Sequence, residues 1–188
     1  MDEQIFQQCY GVHGSPAVLF LMKLLTALGS GWMMLGLVPL FYWQPAKRFA
    51  ASLFWTFSVT GILVFVLKMI IRRPRPCNSL DGVTGLFGNP DDFSFPSGHA
   101  SGSFAFGLFA VMLLMRQAHL YPPLAPRCFA LSAFTLALVA AISYSRIYLG
   151  AHFPGDVLAG AILGGTMGTI GARRHVSRLA SRAARDTK

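Results

Sequence analysis

The stretch Ser145-Arg146-Ile147-Tyr148-Leu149-Gly150-Ala151-His152-Phe153-Pro154-Gly155-Asp156 closes one long apolar run and opens the next. Pro154 suits the first turn of a helix, so a helix is expected to begin here with Asp156 in its opening turn. That spacing brings a carboxylate within reach of one ring nitrogen of His152 and leaves the other nitrogen free to face an electron-poor centre. Arg146 adds a fixed positive charge six positions before the histidine. Ionisable side chains between membrane-length apolar runs are costly, so a functional site is the default reading.

Outward from this stretch the chain is apolar. Its 188 residues are 54% hydrophobic and only 12% charged. Uncharged runs cover 24–46, 49–67, 100–115, 128–145 and 157–172. A spanning helix takes about 20 residues, within a range of about 17–25, and the shorter runs borrow flanking residues. The expected fold is therefore all-α: a polytopic transmembrane bundle of five spans, forming one membrane-embedded domain over 1–188. Residues 1–28 are read as an amphipathic segment lying at the outer interface, because the apolar stretch 16–28 is too short to span comfortably. A sixth, short span is the alternative, and it would put the N-terminus inside. The acidic start Met1-Asp2-Glu3 does not suit a cleavable signal peptide.

Charge sets the expected orientation. Lys47, Arg48, Arg116, Arg127, Arg173, Arg174, Arg178, Arg182, Arg185 and Lys188 share one side if five spans alternate, which is ten of the sixteen Lys and Arg. The positive-inside rule makes that side cytoplasmic, with 173–188 as a basic cytoplasmic tail. Such a tail also touches anionic headgroups, and a membrane-embedded body argues against nucleic-acid binding despite the net charge of +9. Cys9, Cys77 and Cys128 lack metal-ligand spacing, and pairing of Cys9 with Cys77 is left open. Gly160, Gly164 and Gly168, at four-residue spacing, read as a close helix-packing stripe.

The other six basic residues are Lys23, Lys68, Arg72, Arg73, Arg75 and Arg146. Five of them gather at the outer ends of spans two and four or in the loop after span two, where the positive-inside rule expects few. Snorkelling accounts for one or two. A pocket for a polyanion, most naturally phosphate, accounts for the cluster.

Three signatures then line up in order: Lys68, six residues, Arg75-Pro76; Pro96-Ser97-Gly98-His99; and Ser145-Arg146, five residues, His152, three residues, Asp156. A given four-residue string such as Pro-Ser-Gly-His arises by chance in a chain this long roughly once in a thousand. With these motifs the sequence resembles the type 2 phosphatidic acid phosphatase superfamily of integral-membrane lipid phosphate phosphatases. Its length and N-terminal pattern look most like the bacterial undecaprenyl diphosphate phosphatase branch. The resemblance implies a plasma-membrane (inner-membrane) enzyme that takes phosphate from a lipid at the outer face, through a phosphohistidine.

The residues support that chemistry on their own. A phosphate group must be neutralised before a nucleophile can approach it. Lys68, Arg75 and Arg146 would do this, the guanidiniums in bidentate fashion. Ser97 and Gly98 open a helix whose N-terminal amides suit an anion. His152 is the expected nucleophile, Asp156 its orienting partner, and His99 the general acid and then base. No metal or other cofactor is expected, since the site carries its own cations and no carboxylate cluster stands by to hold magnesium.

Taken singly, each residue has a plainer reading: Lys68 as a snorkelling anchor, Asp156 as a favourable first-turn charge, and Ser145 as a backbone support. Arg72 and Arg73 would recruit a headgroup or hold the loop acids Asp81, Asp91 and Asp92. The partners expected are the bilayer and a membrane lipid phosphate. Undecaprenyl diphosphate, phosphatidylglycerol phosphate, phosphatidate and lipid A 1-phosphate all fit, and the sequence leaves the oligomeric state open. A phosphotransferase using the same intermediate is the second reading. An anion transporter is the third, although transporters place charge near the midplane.

Overall fold

The computed structural model describes residues 1–11, 14–30, 47–86, 88 and 91–186. All its regular elements are helical: α1 (Asp2–Cys9), α2 (Pro16–Leu28), α3 (Lys47–Ile71), the short α4 (Pro76–Ser79), α5 (Gly98–Leu120), α6 (Ala125–Tyr148) and α7 (Pro154–Asp186). A 3-10 turn over Pro122–Leu124 joins α5 to α6. Three segments among the described residues are long and apolar enough to cross a membrane: Lys47–Ser79, Gly98–Leu120 and Pro122–Tyr148. The expected run 157–172 lies inside the 33-residue α7, where glycines and threonines dilute its hydropathy. The first expected span falls largely on 31–46, outside the described residues.

α5 is the central helix. It packs against α6 and α7, with α3 against both α5 and α7. The glycine stripe explains how closely α7 approaches. A Cβ on Gly160, Gly164 or Gly168 would lie 2.6, 2.0 and 2.3 Å from the carbonyls of Ser97, Ser101 and Ala105. Backbone therefore meets backbone along this seam, as small residues allow. Large apolar side chains point away from the bundle, among them Trp55, Ile62, Phe65, Phe134 and Ile162, each more than half exposed. An apolar shell of this extent belongs in lipid, and the chain is an integral membrane protein.

The N-terminal helices lie at the Lys68 end of the bundle. Ser15 caps α2 by accepting from the Val18 amide, and Pro16 occupies its first turn, where the missing N–H is harmless. Gly14, just before α2, abuts Tyr148, and Gly29, just after it, abuts Ile142. Those contacts on α6 are six residues apart, about 9 Å of helix, whereas α2 is about 20 Å long. α2 therefore crosses α6 obliquely. Upstream, α1 buries Phe6 among Val83, Ile147 and Phe153. Cys9, Cys77 and Cys128 are free thiols.

Candidate active site

Local chain geometry delivers His152. α6 ends at Tyr148, and the chain reverses at Gly150, whose φ of +77° suits glycine. A Cβ there would also lie 2.9 Å from the Thr84 carbonyl. The amides of Ala151 and His152 both donate to the Arg146 carbonyl, at 3.0 and 3.2 Å, so the two motif residues are tied by backbone. Pro154 then opens α7 as expected. Across the seam, the Ser97 amide donates to the Asp156 carbonyl at 3.0 Å. This bond clamps the start of α5 to the start of α7.

The imidazole of His152 is buried. Arg75 Nη1 lies 3.1 Å from its Nε2. A guanidinium can only donate, so Nε2 is the lone-pair nitrogen and the proton sits on Nδ1. Nδ1 lies 3.8 Å from Asp156 Oδ2, too far for the direct hydrogen bond expected from the sequence. The Ser94 hydroxyl bridges this gap. It stands 3.4 Å from Nδ1 and donates its own proton to Asp156 Oδ2 in a short bond. Burial holds the His152 pKa down to about 4 against the opposing pull of Asp156. At neutral pH the ring is therefore uncharged.

Asp156, fully buried, is held from three sides. Beyond Ser94, its Oδ2 accepts from the Phe153 amide at 2.9 Å, and its Oδ1 pairs with Arg73 Nη1 at 2.8 Å. The same Arg73 reaches Asp2 Oδ2 at 2.7 Å and lies 4.1 Å over the Phe153 ring. Asp2 Oδ1 in turn accepts from the Gly155 amide at 2.9 Å. α1 is thereby pinned onto the loop that carries the histidine.

The cationic cluster forms as anticipated, but it already grips an acid. Asp92 pairs with Lys68 Nζ at 2.5 Å, and its Oδ1 lies 2.6 Å from Arg75 Nη2. Lys68 also donates to the Phe93 carbonyl, and Arg75 Nη1 to that of Ala151 at 2.8 Å. Burial opposes ionisation of Asp92, but the Lys68 hydrogen bond and the Arg75 charge outweigh it and hold the carboxyl below its usual range. The loop acid is thus taken by the motif cations and not, as the sequence suggested, by Arg72 or Arg73. Arg73 turns inward to Asp156. Arg72, at a φ of +51°, donates to the Met69 carbonyl at 3.0 Å, closing the end of α3.

Arg146 is buried and donates to Thr26 of α2. Its Nε has no hydrogen-bond partner among the described residues. A buried, half-satisfied guanidinium is costly, and an arriving anion would relieve it. His99 lies within electrostatic range of Arg146, Arg75 and Lys68 and of the His152 ring, so residues of all three motifs gather at one end of the bundle. Ser97 Oγ accepts from the Ala100 amide at 3.4 Å as the cap of α5. Gly98 is exposed beside open space, with only Val64 within 4 Å of a hypothetical Cβ. Ser145 donates to the Ile142 carbonyl at 2.6 Å. Ser94, Asp2 and Thr26 are not reached by the sequence reading, which gives Arg73 other partners than the Asp156 it holds. The one hint was the excess of basic residues after α3.

The family profile described as PAP2 superfamily matches residues 49–179. The chain belongs to the PAP2 superfamily. Among curated relatives of this PAP2 chain, a lipid A 4'-phosphatase of Bacteroides thetaiotaomicron is 30% identical over 69% of the chain and 55% of the relative. An undecaprenyl-diphosphatase of Sulfolobus acidocaldarius is 30% identical over 66% of the chain and 54% of the relative. The chain thus spans about half the length of these two proteins. In fold it is similar to Aquifex aeolicus LpxE, with a TM-score of 0.70, 24% identity, and coverage of 90% of this chain and 93% of that one. It is also similar to a PAP2-type phosphatidylglycerolphosphate phosphatase of Bacillus subtilis, with a TM-score of 0.73, 23% identity, and coverage of 94% and 85%.

Proposed function

We propose that this PAP2 chain is a metal-independent lipid phosphate phosphatase working through a phosphohistidine, with undecaprenyl diphosphate as its first-choice substrate. One observation carries the reading: a single guanidinium, Arg75, faces the lone pair of His152 Nε2 with one edge and holds an anion with the other. A phosphoryl group replacing Asp92 there would sit beside the nucleophile.

The chemistry follows from that placement. Lys68, Arg75 and Arg146, with the α5 N-terminus at Ser97–Gly98, neutralise the phosphoryl oxygens. The Nε2 lone pair of His152 attacks phosphorus and the bond to the leaving oxygen breaks. His99 gives that oxygen its proton. Positive charge building on the ring is met through Nδ1–H, Ser94 and Asp156. Water then attacks the phosphohistidine, His99 takes its proton, and the P–N bond breaks to release phosphate and restore Nε2.

The lipid tail remains in the bilayer while the headgroup enters from the side, which is why the cations sit at helix ends. In this arrangement five spans alternate from an outer interfacial α1–α2 to a cytoplasmic C-terminus, in one domain of the plasma membrane. The substrate alternatives are phosphatidylglycerol phosphate, phosphatidate and lipid A 1-phosphate. The test is phosphate release in detergent with excess chelator from these four lipids side by side. Turnover of undecaprenyl diphosphate above the rest supports the assignment. Release only when an acceptor lipid or sugar is added would instead make the protein a phosphotransferase.

A further inference from the structure

At the end of α3 opposite Lys68, a cavity of about 780 Å³ opens between the first turn of α3 and the last turns of α7. Arg48, Arg178, Arg182 and Arg185 line it, and Ser52 and His175 form its floor, joined by a 2.9 Å hydrogen bond. A narrow groove of about 90 Å³ adjoins it, sharing Ser52 and Arg178, and is walled by Trp55, Val59, Met167 and Ile170. A basic cleft is thus continuous with an apolar slot on the outer surface of the bundle.

Charge and depth favour one kind of occupant. No Asp or Glu occurs in 47–80 or 157–185, and the ion pairs of Asp2, Asp92 and Asp156 all lie at the other end of the bundle. Arg48 and Lys68 are twenty residues apart on one helix, about 30 Å and so about the thickness of a bilayer's hydrocarbon core. The cleft therefore faces the leaflet opposite the candidate active site. Trp55 is 63% exposed beside it, two helical turns or about 10 Å deeper than Arg48 and so at the level of lipid tails. A soluble anion would need the arginines alone. The adjoining slot, of about 90 Å³, takes the first few methylenes of an acyl chain, and the exposed apolar flank of the bundle takes the rest.

We propose that the Arg48–Arg178–Arg182 cleft and the Trp55–Met167 groove bind one anionic phospholipid of the opposite leaflet, with its phosphate among the guanidiniums and an acyl chain between α3 and α7. This site is separate from the phosphatase centre and does not depend on the substrate assigned there.

The test is native mass spectrometry of the purified full chain in detergent with equimolar dioleoyl phosphatidylglycerol and dioleoyl phosphatidylcholine. The intact protein retains phosphatidylglycerol preferentially. In an Arg48→Gln/Arg178→Gln/Arg182→Gln variant this preference falls by about tenfold or more, while hydrolysis of a lipid phosphate in detergent is unchanged. A single Arg178→Glu reversal, at an exposed position, serves if the triple variant folds poorly, and it lowers retention in the same direction. Unchanged phosphatidylglycerol retention in either folded variant overturns the proposal. Equal retention of phosphatidylcholine by the intact protein would mean that the groove alone binds, and also overturns it. Displacement of the lipid by matched glycerol phosphate would mark a soluble-anion site and do the same.

Discussion

The carboxylate of Asp92 lies 2.6 Å from Nη2 of Arg75 and takes up the edge of the guanidinium that a phosphoryl group would need. Asp92 is half exposed while Arg75 is buried, so the acid can leave and the cation stays. Substrate must compete with this internal anion. Asp92→Asn removes the competing charge, and KM for a lipid phosphate is expected to fall about three- to tenfold with little change in kcat. Steady-state kinetics of the variant check this, and an unchanged or raised KM would contradict it.

His152→Ala deletes the proposed nucleophile, so turnover should drop by at least about a thousandfold and no acid-labile phosphoenzyme should form. His99→Ala keeps Nε2 but loses the proton donor, with an expected loss of roughly 10²–10⁴. It should trap little phosphoenzyme if leaving-group protonation limits the first step. Rapid-quench labelling with a radioactive lipid phosphate separates the two. Full turnover in His152→Ala would refute the mechanism.

The Ser94 hydroxyl stands between Nδ1 of His152 and the Asp156 carboxylate. Ser94→Ala leaves the imidazole N–H without its acceptor. We expect kcat to fall about tenfold to a hundredfold while KM holds, because the cations that grip phosphate are untouched. A change confined to KM would argue against a role in orienting the ring.

Acid should destabilise the fold in a window to which His152 contributes. Its folded-state pKa of about 4 lies below the ordinary 6.5, so the unfolded chain binds the extra proton first. The stabilisation is therefore complete above about pH 6.5 and is lost as pH falls towards 4. That window lies above the usual carboxylate value of 3.8, below which Asp92 titrates. Thermal midpoints measured between pH 7 and 4.5 should fall for the natural chain and fall less for His152→Asn. Parallel curves would exclude the histidine as the cause.

Two adjacent glycines of α7 should respond oppositely to alanine. At Gly164 a Cβ would lie 2.0 Å from the Ser101 carbonyl, whereas at Gly165 the nearest atom, on Leu108, is 3.6 Å away. Gly164→Ala must push α5 and α7 apart at a cost of about 1–3 kcal/mol or more. Because this seam also clamps Ser97 to the Asp156 carbonyl, activity should fall with it. Gly165→Ala gains up to about 1 kcal/mol of helix propensity. Thermal unfolding in detergent compares the pair.

What could be read along the chain was whatever depends on local spacing and solvent preference. Apolar run lengths marked α3, α5 and α6, Pro154 marked the start of α7, and the glycine repeat marked its packed face. Ser97 announced a helix start because capping is settled within one turn. The motif residues Lys68, Arg75, His99, Arg146, His152 and Asp156 were legible because charged groups at the ends of apolar runs need a compensating reason to be there.

Tertiary structure alone chose the partners. Asp92 bonds across 24 residues to Lys68, Ser94 across 62 to Asp156, and Thr26 across 120 to Arg146. Arg73 reaches 71 residues back to Asp2. Periodicity says which face of a helix is buried, but not which loop will close over its end, since that follows from how the helices pack. The sequence therefore determined that cations and imidazoles collect at one membrane face. Only the folded chain decided that Ser94 stands between His152 and Asp156, and that Arg73 holds Asp156 while Arg75 holds Asp92.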